Sequence, residues 1–274
     1  MRAAGITETT LRHSGRLNLF IRKEKIMPTL NFHLIITLIA LPIFWLGCLV
    51  YARRKAVVSL GMVGLGALGF YVSVNILESL LHLLVLRPAP DGHIALLQQH
   101  PLGYVAYGIL AAGIFEETAR LAALRLVQKK RALATNDGLA YGLGHGGMEL
   151  LLACASVAAM VYAMATSSAA LAKIPPFLLA QIQSLATASP YWIALERLIA
   201  LGVQILLSYW VWYAVARRRL RYYCCAVALH ALVDLPVALW QAGMLGRAEL
   251  YALLAAGLIA LAALSWRCLR TATK

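Results

Sequence analysis

Charge is what this chain is short of. Only 13% of its 274 residues are Asp, Glu, Lys or Arg, about half the share found in ordinary globular proteins. A soluble domain of this length needs more charge than that to cover its surface, so the composition points to the bilayer as solvent. The shortage is also lopsided, with 11 acidic residues against 25 basic ones. Paired C-x-x-C spacings are missing, and so is the H-E-x-x-H signature, which removes the commonest sequence marks of a zinc site. The five cysteines, Cys48, Cys154, Cys224, Cys225 and Cys268, fall in or at the ends of apolar runs, where cysteine behaves as a small hydrophobe.

What is present is apolar sequence. Hydrophobic residues make up 62% of the chain and the mean hydropathy is +0.76. Runs of the roughly 20 residues that cross a hydrocarbon core fall near 30–51, 57–85, 102–126, 139–165, 191–215, 222–242 and 249–267. The fold expected is all-α, a polytopic membrane helix bundle of about seven transmembrane helices, with 27–274 as its single domain. Turn formers at Arg87-Pro88-Ala89-Pro90-Asp91-Gly92 make 86–101 a loop. Lys173, Pro175, Pro176 and Pro190 break up 167–190, which reads as an external loop lying partly in the interface.

A net charge of +14 would suggest nucleic acid in a soluble protein, but the basic residues gather at span ends. Arg53, Arg54 and Lys55 follow the first span, Lys129, Lys130 and Arg131 the third, Arg217, Arg218, Arg219 and Arg221 the fifth, and Arg267, Arg270 and Lys274 close the chain. The alternate loops hold only Arg87, Lys173 and Arg247. Under the positive-inside rule this is a cell-membrane protein with its N-terminus outside, its C-terminus in the cytoplasm and cytoplasmic loops at 52–56, 127–137 and 216–221. The charge reports topology, and nucleic acid is not an expected partner. Residues 1–26 contradict the pattern with six basic residues on the side that should be poor in them. They read as a gene-model extension or a disordered tail, with Met27 as the native start.

Six carboxylates fall inside spans: Glu78, Glu116, Glu117, Glu149, Glu196 and Asp234. Each costs roughly 2.5–3.5 kcal/mol when ionised at a helix centre facing lipid, so they must face one another or water. Arg120 is i+4 from Glu116 and i+3 from Glu117 and can neutralise either. His145 and Glu149 are i and i+4, as are His230 and Asp234, so each pair shares a helix face. At about 1.5 Å per residue from the cytoplasmic ends, Glu116, Glu117, His145, Glu149, His230 and Asp234 meet in one layer, expected to open toward the cytoplasmic half. Glu78, His82, Glu196 and Arg197 fall nearer the outer ends, as a second polar layer in which Glu196 and Arg197 point in different directions. Glycines cluster at Gly61, Gly64, Gly66 and Gly69 in span two and around His145 in span four, where small residues let backbones approach closely.

The ordered set Glu116-Glu117-x-x-Arg120, Gly-x-Gly-His145-Gly-Gly-x-Glu149, Glu196-Arg197 and His230-x-x-x-Asp234 resembles the YhfC-type membrane peptidases, a group related to CAAX prenyl proteases and bacteriocin-processing enzymes. The wider superfamily often carries asparagine where Asp234 stands. The resemblance implies a glutamate-type intramembrane protease without a cofactor, acting on a membrane-associated protein or peptide. Glu116, assisted by His145, would activate water, and Glu117 and Arg120 would hold that carboxylate. His230 and Asp234 would stabilise the oxyanion, Glu149 would position His145, and Glu196 and Arg197 would support. The alternatives are a zinc metallopeptidase with ligands drawn from His145, His230 and Glu149, and a non-catalytic scaffold or transporter whose carboxylates conduct ions.

Overall fold

Each apolar run becomes a helix because in a bilayer only intra-segment hydrogen bonding satisfies the backbone. The computed structural model describes residues 34–89, 93–166 and 190–270. In chain order the helices are α1 (Leu34–Ala56), α2 (Leu60–Leu86), a short α3 (Ala95–Gln99), α4 (Pro101–Gln128), α5 (Thr135–Thr166), α6 (Pro190–Ala216), α7 (Arg221–Gln241) and α8 (Arg247–Arg270). No strand occurs among the described residues. Six of these helices are long and apolar enough to cross a membrane. With 28 residues α4 is long enough as well, and Glu116, Glu117 and Arg120 are what lower its hydropathy. The expected start at Met27, the segment 1–26 and the interface loop 167–190, except for Pro190 at the start of α6, lie outside the described residues.

The pattern of exposure is that of a protein turned toward lipid. Leu84 and Ile259 are each 70% exposed, while Glu117, Arg120 and His145 are 0% exposed. α4, which carries two of those three, packs against α2, α6 and α7.

The basic ends gather at one face. The Asn136 side chain donates to the Ala56 carbonyl, Gln128 Nε2 donates to the Val215 carbonyl at 2.9 Å, and Arg53 donates to the Val58 carbonyl at 2.8 Å. The ends of α1, α4 and α6 and the start of α5 therefore lie together. The loops are shorter than expected: α1 runs through Ala56, so Arg53, Arg54 and Lys55 form its last turn instead of a loop at 52–56. Lys and Arg are good helix formers and their charge complements a helix C-terminus. The chain turns at Val57, where φ is +50°.

Close glycine contacts set α5 against α2. A Cβ on Gly144 would collide with the Val63 carbonyl, and one on Gly66 with the Tyr141 carbonyl. Trp45 Nε1 on α1 donates to the Leu143 carbonyl at 2.9 Å. This crossing fixes the turn of α5 that carries His145. Gly144→Ala is expected to destabilise by about 1–3 kcal/mol, the usual cost of overpacking. Gly64, with nothing within 4 Å of its would-be Cβ, should accept alanine with little change. Thermal unfolding of the two variants in detergent checks this, and equal melting shifts would contradict it.

One irregularity was not expected. Tyr71–Glu78 in α2 winds as a π-helix, a wide turn frequent at functional sites. It leaves Ser73 buried with its Oγ donating to the Gly69 carbonyl at 2.8 Å, and it ends on the buried Glu78.

Candidate active site

α4 brings Glu116, Glu117 and Arg120 into the interior on one face, as their spacing dictates. Arg120 Nη1 donates to Glu117 Oε1 at 2.5 Å and Nη2 to Glu116 Oε2 at 3.4 Å. Its Nη2 also donates to the Gln204 side-chain oxygen from α6. The guanidinium thus sits mainly on Glu117 and tethers α4 to α6.

Glu116 is held almost entirely through one of its two oxygens. Oε2 meets His145 Nε2 at 2.8 Å and accepts from Gln204 Nε2 at 3.1 Å, besides Arg120. Oε1 faces His230 Nε2 at 3.8 Å, too far for a direct hydrogen bond. His230, from α7, meets Glu117 Oε1 through Nδ1 at 2.6 Å and Asp234 Oδ2 through Nε2 at 3.3 Å. Gly113 on α4 lets α7 approach at this level, since a Cβ there would press on the Val227 carbonyl. His145 packs edge-on against Phe70 and beside Tyr141, and its Nδ1 is buried without a hydrogen-bond partner.

Glu149 does not bond His145 as expected. Its oxygens go to Gln204 Nε2 at 2.7 Å and Arg197 Nη1 at 3.1 Å. Nor do Glu196 and Arg197 point apart: Arg197 Nη2 donates to Glu196 Oε1 at 2.6 Å. An unbroken chain of polar contacts therefore runs Glu196, Arg197, Glu149, Gln204, Glu116, His145. Gln204 is the member of this cluster that the sequence did not single out. Its signal was a lone amide in an apolar span, seven residues from Arg197 and so on the same face of α6.

The two polar layers are joined by one cavity of about 430 Å³, lined among others by Glu78, His82, Glu149, Arg197, Gln204 and Asp234. Glu78 and His82 pair at 3.4 Å across their i, i+4 spacing, and His82 Nδ1 meets the Tyr107 hydroxyl at 2.8 Å. Glu116, Glu117, Arg120 and His145 stand behind this wall, and His230 and Asp234 form part of it. The expectation that the layer opens toward the basic, cytoplasmic half is overturned. The cavity also reaches Leu86, Tyr104 and Gln241, which belong to the opposite ends of α2, α4 and α7, because the helices close on one another around Gln128, Val215 and Ala56 at the basic end.

A zinc ion is fitted in kind. His230 Nδ1 is backed by Glu117, the outer pairing that ligating histidines make, and its Nε2 faces Asp234 and Glu116, donors that zinc accepts. Among the described residues, however, no three His, Cys, Asp or Glu side chains stand as a ready ligand group. The trio of His145, His230 and Glu149 that the zinc alternative drew on does not converge, because Glu116 engages His145 while Gln204 and Arg197 draw Glu149 away.

Comparison with known proteins bears on all of these residues at once. A family model described as "YhfC intramembrane metalloprotease" matches residues 37–255. A Bacillus subtilis (strain 168) protein described as "Uncharacterized membrane protein YhfC" is 37% identical over 232 residues, 81% of this chain and 88% of its own. No solved structure matches.

Proposed function

Since the chain belongs to the YhfC intramembrane metalloprotease family, we propose that it hydrolyses peptide bonds of membrane-associated substrates with a water activated at Glu116. The observation that carries this reading is the division of labour on that carboxylate. Three donors hold Oε2, while Oε1 stands 3.8 Å from His230 Nε2, turned toward the histidine and not tied to it by a direct hydrogen bond.

In this reading Glu116 Oε1 takes a proton from the water as its oxygen bonds to the carbonyl carbon. Negative charge moves to the carbonyl oxygen, and His230, anchored by Glu117 and oriented by Asp234, is the donor set where it develops. Glu116 then passes the proton to the amide nitrogen as the C–N bond breaks. Arg120 offsets the charge of the two adjacent glutamates throughout. Gln204 and His145 keep Oε1 aimed, and Glu149, Glu196 and Arg197 support the cavity side.

Membranes from cells making the chain, compared by terminal proteomics with membranes from cells lacking it, should contain new N-termini in or beside the spans of other proteins. Identical sets of termini would favour a scaffold or transporter.

The family description and the backing of His230 by Glu117 favour a second chemistry. Zinc held by His230, Asp234 and Glu116 would supply Lewis acidity to the carbonyl. The two separate cleanly by metal analysis. With Arg120 already balancing the carboxylates, purified protein is expected to carry well under one equivalent of zinc and to stay active after exhaustive chelation. Stoichiometric zinc, lost together with activity in His230→Ala, would assign the reaction to the metal.

A further inference from the structure

The cavity has a direction. Its lining on α2 runs from Glu78 to Leu86, on α4 from Tyr104 to Ala112, on α6 from Glu196 to Gln204, and on α7 from His230 to Gln241. On every one of these helices the lining half is the half away from the basic loops. At about 1.5 Å per residue, His230 lies about 14 Å from the start of α7 at the basic face, whereas Tyr104 lies about 36 Å from the other end of α4 at that face. The basic end is closed by contacts between helices: Gln128 to Val215 and Asn136 to Ala56.

The lining also speaks to what occupies it. Glu78, Glu149, Glu196 and Asp234 stand on its wall against a single guanidinium, Arg197. A pocket of that sign repels the phosphate of an anionic lipid headgroup, and its mixed polar and apolar lining accommodates a polypeptide, whose amides need partners on both sides.

We infer that the site receives its substrate from the face opposite the basic loops, which the positive-inside rule makes the outer face. The substrate class is then an extracytoplasmic peptide segment, such as the stretch of a membrane protein just beyond the outer end of one of its spans. The protease reading above supplies what happens to the segment. The route by which it arrives rests on the cavity alone.

Single cysteines test the route. In a background with Cys48, Cys154, Cys224, Cys225 and Cys268 changed to alanine, His82→Cys, Tyr104→Cys and Gln241→Cys report on the cavity and Lys130→Cys on the basic face. Size-exclusion profiles show which variants are folded, and three cavity positions allow for the loss of one. Intact cells are treated with a membrane-impermeant charged maleimide. The cavity cysteines should be modified in intact cells, and Lys130→Cys only after lysis. Cavity cysteines that react only after lysis, or in neither state, would overturn the inference. Lys130→Cys reacting in intact cells while the cavity waits for lysis would overturn it too, by inverting the chain. Labelling needs no cleavage, so the same pattern is expected with Glu116→Gln added. That pattern without new N-termini in the membrane would remove the protease reading and leave the outward-facing cavity standing.

Discussion

Glu116→Gln is expected to lower cleavage by about 10²–10⁴-fold, the usual worth of a positioned general base, while the chain stays folded in the membrane. The amide is nearly isosteric with the carboxylate. Its oxygen at the Oε2 position still accepts from His145 and Gln204, so the contacts that hold α4 to α5 and α6 persist. Its NH2 group at the Oε1 position has no lone pair with which to take a proton from water. The new N-termini should therefore vanish from the membrane proteome without loss of expression or of melting temperature. Unchanged cleavage by the Glu116→Gln protein would move the chemistry off this residue altogether. Should the protein fail to fold, the carboxylate's role would be the buried ion pair and not the base.

Arg120→Leu is expected to cost about 3–5 kcal/mol, the penalty for removing one partner of a buried ion pair. The guanidinium is 0% exposed, and the Glu117 it leaves behind is 0% exposed too, out of reach of bulk solvent. Arg120→Lys should recover only part of the loss, because a single ammonium cannot donate to Glu117, Glu116 and Gln204 as the planar fork does. The double variant Arg120→Leu with Glu117→Leu should melt above the single one, since an apolar pair is cheaper to bury than an orphaned carboxylate. Thermal unfolding in detergent ranks the three. A single variant as stable as the parent would mean that solvent reaches Glu117.

The sequence was most informative where a signal is local. Hydropathy located the spans because each helix must satisfy itself, and the observed ends of α4 (Pro101–Gln128) and α7 (Arg221–Gln241) fall within a few residues of those read from composition. The i+3 and i+4 spacings placed Arg120 on both glutamates and Asp234 on His230, because helix geometry fixes such neighbours. Spacing failed where two helices compete for one side chain. His145 and Glu149 share a face, yet Gln204 and Arg197 on α6 claim Glu149, and nothing in α5 announces that. The π turn at Tyr71–Glu78 and the direction of the cavity depend on how whole helices lean on one another. No window of residues encodes that.

The side chain of Gln204 presents its oxygen to the cation Arg120 and its nitrogen to the anions Glu116 and Glu149. An amide turned end for end would set like against like at all three contacts. One uncharged residue thus acts as a polarity key, admitting a single arrangement of the surrounding ions and excluding its mirror. Set among Arg120, Glu116 and Glu149, the member that bears no formal charge fixes the order of the ions around it.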